Sequence, residues 1–496
     1  MPMVFIGSIN SIMEKNLLYL ALAIILLPSC SDTNYLKKCE ATFFKTGEEQ
    51  FAKFRFEEEL NMLGHLSEPW ETRTYKGKGD FWVDSTRFLK QDSLANSQGK
   101  SYSSETEYSN GVLLFQDYGR QELSSMTKEE SQEKKINTAR YSPNIILQHF
   151  LKNENLAKIS IATPNIIYAL HMGEYLVKLS LNSSTNFIDQ ISYLSYDELY
   201  GDVTTTFHYS DYVSNEQVTY PATIRIEKIN GKVVDSVRVV AVEFAASNFS
   251  LLDKPADYEL QESEAAEQPQ ITVNKYNDYI HFIDLAHTDD RVMVVEFDDY
   301  MLVAEAPINP ENGEYIISEV KKIAPSKPIK YFVFGHHHPH YLGGLRAFVH
   351  KGATILCTDL SKNYVEYIAK ASHTLAPDSL QLVPKNLQTQ VVSDSLALGE
   401  NDEMKIYFIG DKSAHTKDYL IYYFPQDKLL FQDDLCWIPK EGAITKAGPR
   451  QSGLYHAIKE LNLDVDTVIQ SWPVNSHRVK TMFPFSDLEK SVMLEE

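Results

Sequence analysis

The pattern of apolar and polar positions changes near residue 270. Upstream, residues 79–88 and 203–209 alternate in the manner of strands, and residues 220–242 alternate on both sides of Asn230-Gly231. An Asn-Gly pair between two such runs predicts a hairpin. Residues 142–151 carry a proline near their start and apolar spacing that predicts a helix. Downstream, residues 291–297 and 301–304 predict two strands around Asp298-Asp299-Tyr300. Residues 313–323 predict a helix with Ile316, Ile317, Val320 and Ile323 on one side, and residues 330–334 a short buried strand. That strand–strand–helix–strand order suits a layered domain of helices and sheet. Between the two parts, residues 262–270 are acidic, rich in small residues and close to a proline, the composition of an exposed connection. The expected organisation is an α+β chain with a β-rich domain over 30–261, a linker over 262–270 and a second domain over 271–496.

The first 29 residues look like an address. Residues 16–27 form an apolar run of the length of a signal-peptide core, too short to span a bilayer, with Lys15 just upstream. The run ends in Leu27-Pro28-Ser29-Cys30, which resembles a bacterial lipobox, and Met13 offers an alternative start that makes the signal more typical. The resemblance implies cleavage before Cys30, lipid on its sulfur, and an exported lipoprotein facing the periplasm or the cell surface. The competing reading is a single anchor helix with an incidental cysteine.

Composition narrows the partners. The 29 tyrosines and 24 phenylalanines lean towards β structure. A net charge of -21 would repel a polyanion, so nucleic acid is not an expected partner. Besides Cys30 the chain has Cys39, Cys357 and Cys436, too few for a disulfide framework and without a CxxC pair.

The chemistry gathers after the strand at 330–334. Four of the 15 histidines fall in Gly335-His336-His337-His338-Pro339-His340-Tyr341-Leu342-Gly343-Gly344. In an extended segment, side chains at i and i+2 share a side, so His336, His338 and His340 can face one point, with His337 turned away. Imidazole nitrogen at about 2.0–2.1 Å is ordinary zinc ligation. The glycine pair permits a tight turn before a helix predicted over 345–350.

This segment resembles the signature of the metallo-β-lactamase superfamily, His-x-His-x-Asp-His-x-Gly-Gly, with His340 in place of the aspartate and Tyr341 in place of the third histidine. Three later segments fit the same resemblance in order: Gly410 to Thr416 with His415, then a strand over 419–424; Leu429 to Leu435 with Asp434; and Asn475-Ser476-His477-Arg478. The resemblance covers roughly residues 270 to 485 and implies an αββα sandwich. It implies one metal ion on His336, His338 and His415, and a second, if present, on Asp434, His477 and His340. Zinc is the expected ion, one or two per chain. Asp434 and His340 are the candidate catalytic groups, and Tyr341 a candidate substrate contact. Cys436 lies within reach of Asp434 in sequence, but buried packing is its expected role.

The β-rich part, with a Tyr-Pro-x-x-Ile strand and the Asn-Gly turn, loosely resembles the half-barrel of lipoprotein-carrier domains. It is expected either to hold an acyl chain or to act as a spacer from the membrane, with the spacer preferred. The functional expectation is a membrane-anchored metallohydrolase acting on an ester, amide or phosphoester of a small molecule. The alternative is a non-catalytic lipid- or ligand-binding lipoprotein with a degenerate metal site.

Overall fold

The structure, a computed structural model, describes residues 34–43, 51–83, 87–109, 111–118, 121–126, 128–153, 157–162, 164–214, 218–245, 260–262 and 269–494. The predicted signal, Cys30 and most of the predicted linker lie outside these residues. Among the described residues no helix is long and apolar enough to cross a membrane.

Fourteen strands of the first part form one sheet. Two meanders, one running from Phe51–Leu63 to Glu122–Ser125 and one from Ala157–Ala162 to Val233–Ala245, join where Phe51–Leu63 pairs antiparallel with Val233–Ala245. Strand Gly201–Ser214 alternates buried and half-buried positions along most of its length, as a one-sided core requires. Helices Asn34–Phe43 and Asn144–Lys152 bring Leu36, Ile146 and Phe150 into one cluster with Phe56, Phe207 and Ile224 of the strands. The predicted hairpin forms. Strands Thr219–Lys228 and Val233–Ala245 pair, and the turn runs through Ile229, Asn230 and Gly231 at φ of 50, 55 and 85°. Asparagine and glycine bear that left-handed backbone at the least steric cost. The run read as one strand over 79–88 is instead the end of Thr72–Val83 and the start of Phe88–Asn96, which pair with each other. Both halves of a hairpin alternate in the same way, so periodicity alone did not reveal the reversal. Glu262, assigned to the linker, ends strand Leu260–Glu262, which lies parallel to Glu122–Ser125.

The second part has two sheets between layers of helix. The first, of seven strands, begins with four antiparallel strands, Ile271–Lys275 to Met301–Ala304, and continues parallel through Ile329–Val333, Thr354–Cys357 and Gln388–Val391. The second has six strands, antiparallel except where Leu429–Gln432 runs parallel to Thr467–Gln470. One core lies between the sheets, with Phe282, Val295 and Val333 meeting Tyr422, Phe424 and Phe431. Helices Pro310–Ile323, Leu345–Lys351 and Asp359–Lys370 cover the outer face of the first sheet, and Pro449–Glu460 and Phe485–Met493 that of the second. Helix Pro310–Ile323 starts where Asn309 accepts a hydrogen bond from the Asn312 amide at 3.0 Å, with Pro310 in the first turn.

The two parts touch. Leu199, Tyr200 and Val203 of the large sheet are buried in the same cluster as Phe332 and Phe348. The Tyr200 and Tyr364 hydroxyls meet at 2.8 Å, and Asp202 accepts from the amides of Thr374 (2.8 Å) and Leu375 (3.0 Å). The spacer reading of the first part does not anticipate these contacts.

Candidate metal centre

The site forms where both sheets end. Strand Ile329–Val333 leads into Gly335 and His336, and Leu429–Gln432 leads into Asp433 and Asp434. The amide of Leu420 donates to the Gly335 carbonyl at 2.7 Å and ties the two sheets together beside the histidines. Gly335 allows the Asp433 carboxylate to lie against its backbone, because a Cβ there would stand 2.5 Å from Asp433 Cγ and closer still to both oxygens.

Among the described residues, His336, His338 and His415 form the one group of three or more ligand-type side chains that could grip an ion, their nitrogens all within 4.8 Å of one another. His336 Nε2 and His338 Nδ1 face each other at 2.9 Å. His415 Nε2 is buried with no hydrogen-bond partner. It lies 3.2 Å from Asp434 Oδ2, without the angle of a hydrogen bond. Nitrogens about 2.05 Å from a tetrahedral ion stand ~3.3 Å apart, within the range these three span. Burial pushes the pKa of His336 well below the ordinary value and that of His338 down to about 2, so both rings are neutral and keep a lone pair for a ligand. Each has an outer partner. His336 Nδ1 lies 2.7 Å from Asp433 Oδ2, and His338 Nε2 donates to the Leu66 carbonyl at 2.9 Å. Ligating imidazoles are ordinarily fixed in this way. The residues present fit a borderline cation such as zinc.

The remaining expected residues are distributed differently. Asp434 adjoins the group through His415, accepts from the Tyr419 hydroxyl at 3.3 Å, and accepts from Arg450 Nη1 at 3.3 Å. His340 does not join the three imidazoles. The extended alternation ends at His338, because Pro339 opens the helical turn Pro339–Leu342 and swings the next side chains to other directions. His340 Nδ1 meets the Asp290 carboxylate at 3.0 and 3.1 Å instead. Burial works against protonating His340, but Asp290 overrides it and the ring's pKa is raised. Tyr341 is buried, its ring centroid 4.4 Å from that of His336, so it packs against that ring rather than facing the open site. His477 is exposed and lies outside the group, in a stretch tied down by Asn475 Nδ2 on the Ala286 carbonyl at 2.6 Å. His337 faces away, Nδ1 to Asp418 at 2.9 Å. Cys39, Cys357 and Cys436 are all buried and unpaired.

Several contributors escaped the sequence reading. Asp433 was not singled out, and its only cue was the acidic doublet closing an apolar strand. Glu305, at the end of Met301–Ala304, is fully buried, accepts from the Tyr422 hydroxyl at 2.8 Å and from the Gly335 amide at 3.2 Å. Burial lifts its pKa to about 8, and burial together with Glu305 pushes Asp433 well above the usual carboxylate range. Arg450 and Asp290 carried no local signal. Neither did His65, whose ring stacks on His338 with centroids 4.7 Å apart.

No family model matches the chain. A curated relative, the metallo-beta-lactamase type 2 of Elizabethkingia meningoseptica, is 23% identical over 224 residues, 44% of this chain and 76% of that protein. Among solved structures, the metallo-beta-lactamase of Pontibacter korlensis is 17% identical, with a TM-score of 0.32 over 44% of this chain and 96% of that one. The FIM-1 enzyme of Pseudomonas aeruginosa, in its mono-zinc form, is 15% identical, with a TM-score of 0.33 over 46% and 95%. The curated match is consistent with a metallo-β-lactamase-like region over about 44% of the chain.

Proposed function

We propose that the metallo-β-lactamase-fold region of this chain is a metal-dependent hydrolase. It holds one ion, zinc by the character of its donors, on His336, His338 and His415. The observation that carries this reading is the buried Nε2 of His415, which has no hydrogen-bond partner and faces the same small space as the ring nitrogens of His336 and His338. A buried polar atom left unpaired is costly, and a cation shared by three lone pairs removes that cost.

When bound, such an ion polarises water and the scissile group of an ester, amide or phosphoester. Asp434 Oδ2 faces the same point from beside His415 and can accept the proton that an attacking water gives up. The Tyr419 hydroxyl and Arg450 hold that carboxylate in one orientation. Arg450 is partly exposed and brings a fixed positive charge to the mouth, where a guanidinium can receive an oxyanion or a substrate carboxylate or phosphate. Three observations support one ion over two: Arg450 occupies Asp434, Asp290 occupies His340, and His477 is exposed. We also propose that the protein is exported and tethered through lipid on Cys30, a reading supported by the apolar run 16–27 and the Leu27-Pro28-Ser29-Cys30 segment. Its substrate is a small molecule and not nucleic acid, consistent with the charge of -21.

Elemental analysis of protein beginning at residue 31 tests this directly. The expected result is close to one ion per chain, lost in His336→Ala, and chelator-sensitive hydrolysis in a screen of ester, amide and phosphodiester probes. Asp434→Asn should keep the ion and lose about 10²- to 10⁴-fold in kcat. Carefully prepared protein that binds no metal overturns the proposal.

A further inference from the structure

The turn between strands Phe51–Leu63 and Thr72–Val83 belongs to the large sheet, yet its tip lies on the histidine cluster. The Leu66 carbonyl accepts from His338 Nε2 at 2.9 Å, across 272 residues of sequence. A carbonyl can only accept, so a neutral His338 carries its proton on Nε2 and leaves Nδ1 bare towards His336. His65 stacks on the same ring, 4.7 Å between centroids at 22°, and stands edge-on to His340 at 6.0 Å.

The turn is built to hold that position. Glu71 Oε2 accepts from the Ser67 amide (3.0 Å), the Ser67 hydroxyl (2.7 Å) and the Glu68 amide (3.1 Å). The Ser67 carbonyl accepts from the Lys417 amide at 2.8 Å, two residues from His415, and the Lys417 side chain pairs with Glu68. Trp70 anchors the far end, stacked on Tyr200 at 5.1 Å and edge-on to Tyr364 at 5.1 Å. A rigid loop fixed to both parts of the chain can orient a ligand to the tolerance that metal binding needs.

We propose that this turn of the N-terminal sheet is a working part of the metal centre: the Leu66 carbonyl sets the tautomer and orientation of His338, and His65 packs over that ring at the mouth of the site. Leu66 and His65 are positioning residues. The inference rests on the reading of His336, His338 and His415 as ligands and extends it to a part of the chain with no catalytic motif.

Three measurements test it. In wild-type protein with ¹⁵N-labelled histidine, NMR should show His338 protonated at Nε2 both with and without zinc. Competition with a chromophoric chelator should show zinc affinity falling about ten- to a hundredfold when residues 64–71 are replaced by Asn-Gly, a turn that keeps the hairpin closed. His65→Ala should fold normally, weaken zinc less, and change the visible spectrum of the cobalt-substituted protein. A His338 proton on Nδ1 overturns the proposal without reference to any variant, as does zinc affinity unchanged within twofold in the turn replacement. If wild type itself binds no zinc, the ligand reading has failed. If wild type binds zinc and His336→Ala does not, while the turn variants match wild type, only this inference has failed.

Discussion

A methyl group added at Gly335 has nowhere to go. The new Cβ of Gly335→Ala would stand 2.5 Å from Asp433 Cγ, where carbon atoms rest at about 3.5–4.0 Å, so the carboxylate must retreat by ~1 Å. Asp433 Oδ2 now lies 2.7 Å from His336 Nδ1, and a retreat of that size takes it beyond hydrogen-bond reach. Both groups are fully buried, so neither recovers a partner from water. Leaving a buried neutral donor and acceptor unpaired costs about 1–3 kcal/mol, and loss of a ligand's outer partner costs about ten- to a hundredfold in metal affinity. Urea unfolding and chelator competition on the purified protein measure the two effects. The cause is isolated by repeating the substitution in an Asp433→Ala background, where the space is vacated. There the added methyl should cost less than about 0.5 kcal/mol, a coupling of at least ~0.5 kcal/mol between the two positions. Additive effects of the two substitutions, or unchanged metal affinity in Gly335→Ala, would refute the argument that this glycine exists to admit Asp433.

Two further outcomes follow from side chains that the metal does not touch. Arg450→Ala should raise KM for anionic probes more than for neutral ones at unchanged zinc content, since its guanidinium meets Asp434 and lies over the Trp437 ring; equal losses on both probe classes would count against a role in substrate binding. His373 is buried between the two parts, with Arg346, Asp378, Asp202 and Tyr196 around it, and burial followed by Arg346 pushes its pKa down to about 4. Between about pH 6.5 and 4 the unfolded chain takes a proton at this ring that the folded chain refuses, so stability falls as pH drops through that window. His373→Asn should flatten that part of the unfolding-midpoint profile relative to wild type, and parallel profiles would show that the ring is not the source.

Much of the metal centre was legible locally. A strand of alternating or continuous apolar residues, followed by histidines two apart and a glycine pair, states both the ligand chemistry and the place where a chain must leave a sheet. His336 and His338 could be named on that basis, as could the strand that leads to them, whereas His415 was named only through the family resemblance of residues 410–416. His340 shows the limit of the method. Its spacing from His338 equals that between His336 and His338, and the i, i+2 rule fails only because Pro339 converts the backbone from extended to helical between them. The proline was visible in the sequence, but its consequence for the direction of a side chain was not.

Amino-acid order by itself determined the donor types and the strands that end at the site. Tertiary structure decided which donors meet. His338 and Leu66 are 272 positions apart, and nothing in either segment encodes the other. Their contact follows from the packing of Trp70, Tyr200 and Tyr364 between the two parts of the chain. Periodicity is a property of neighbours within a few residues, whereas a ligand's outer partner is chosen by whatever surface the folded chain presses against it.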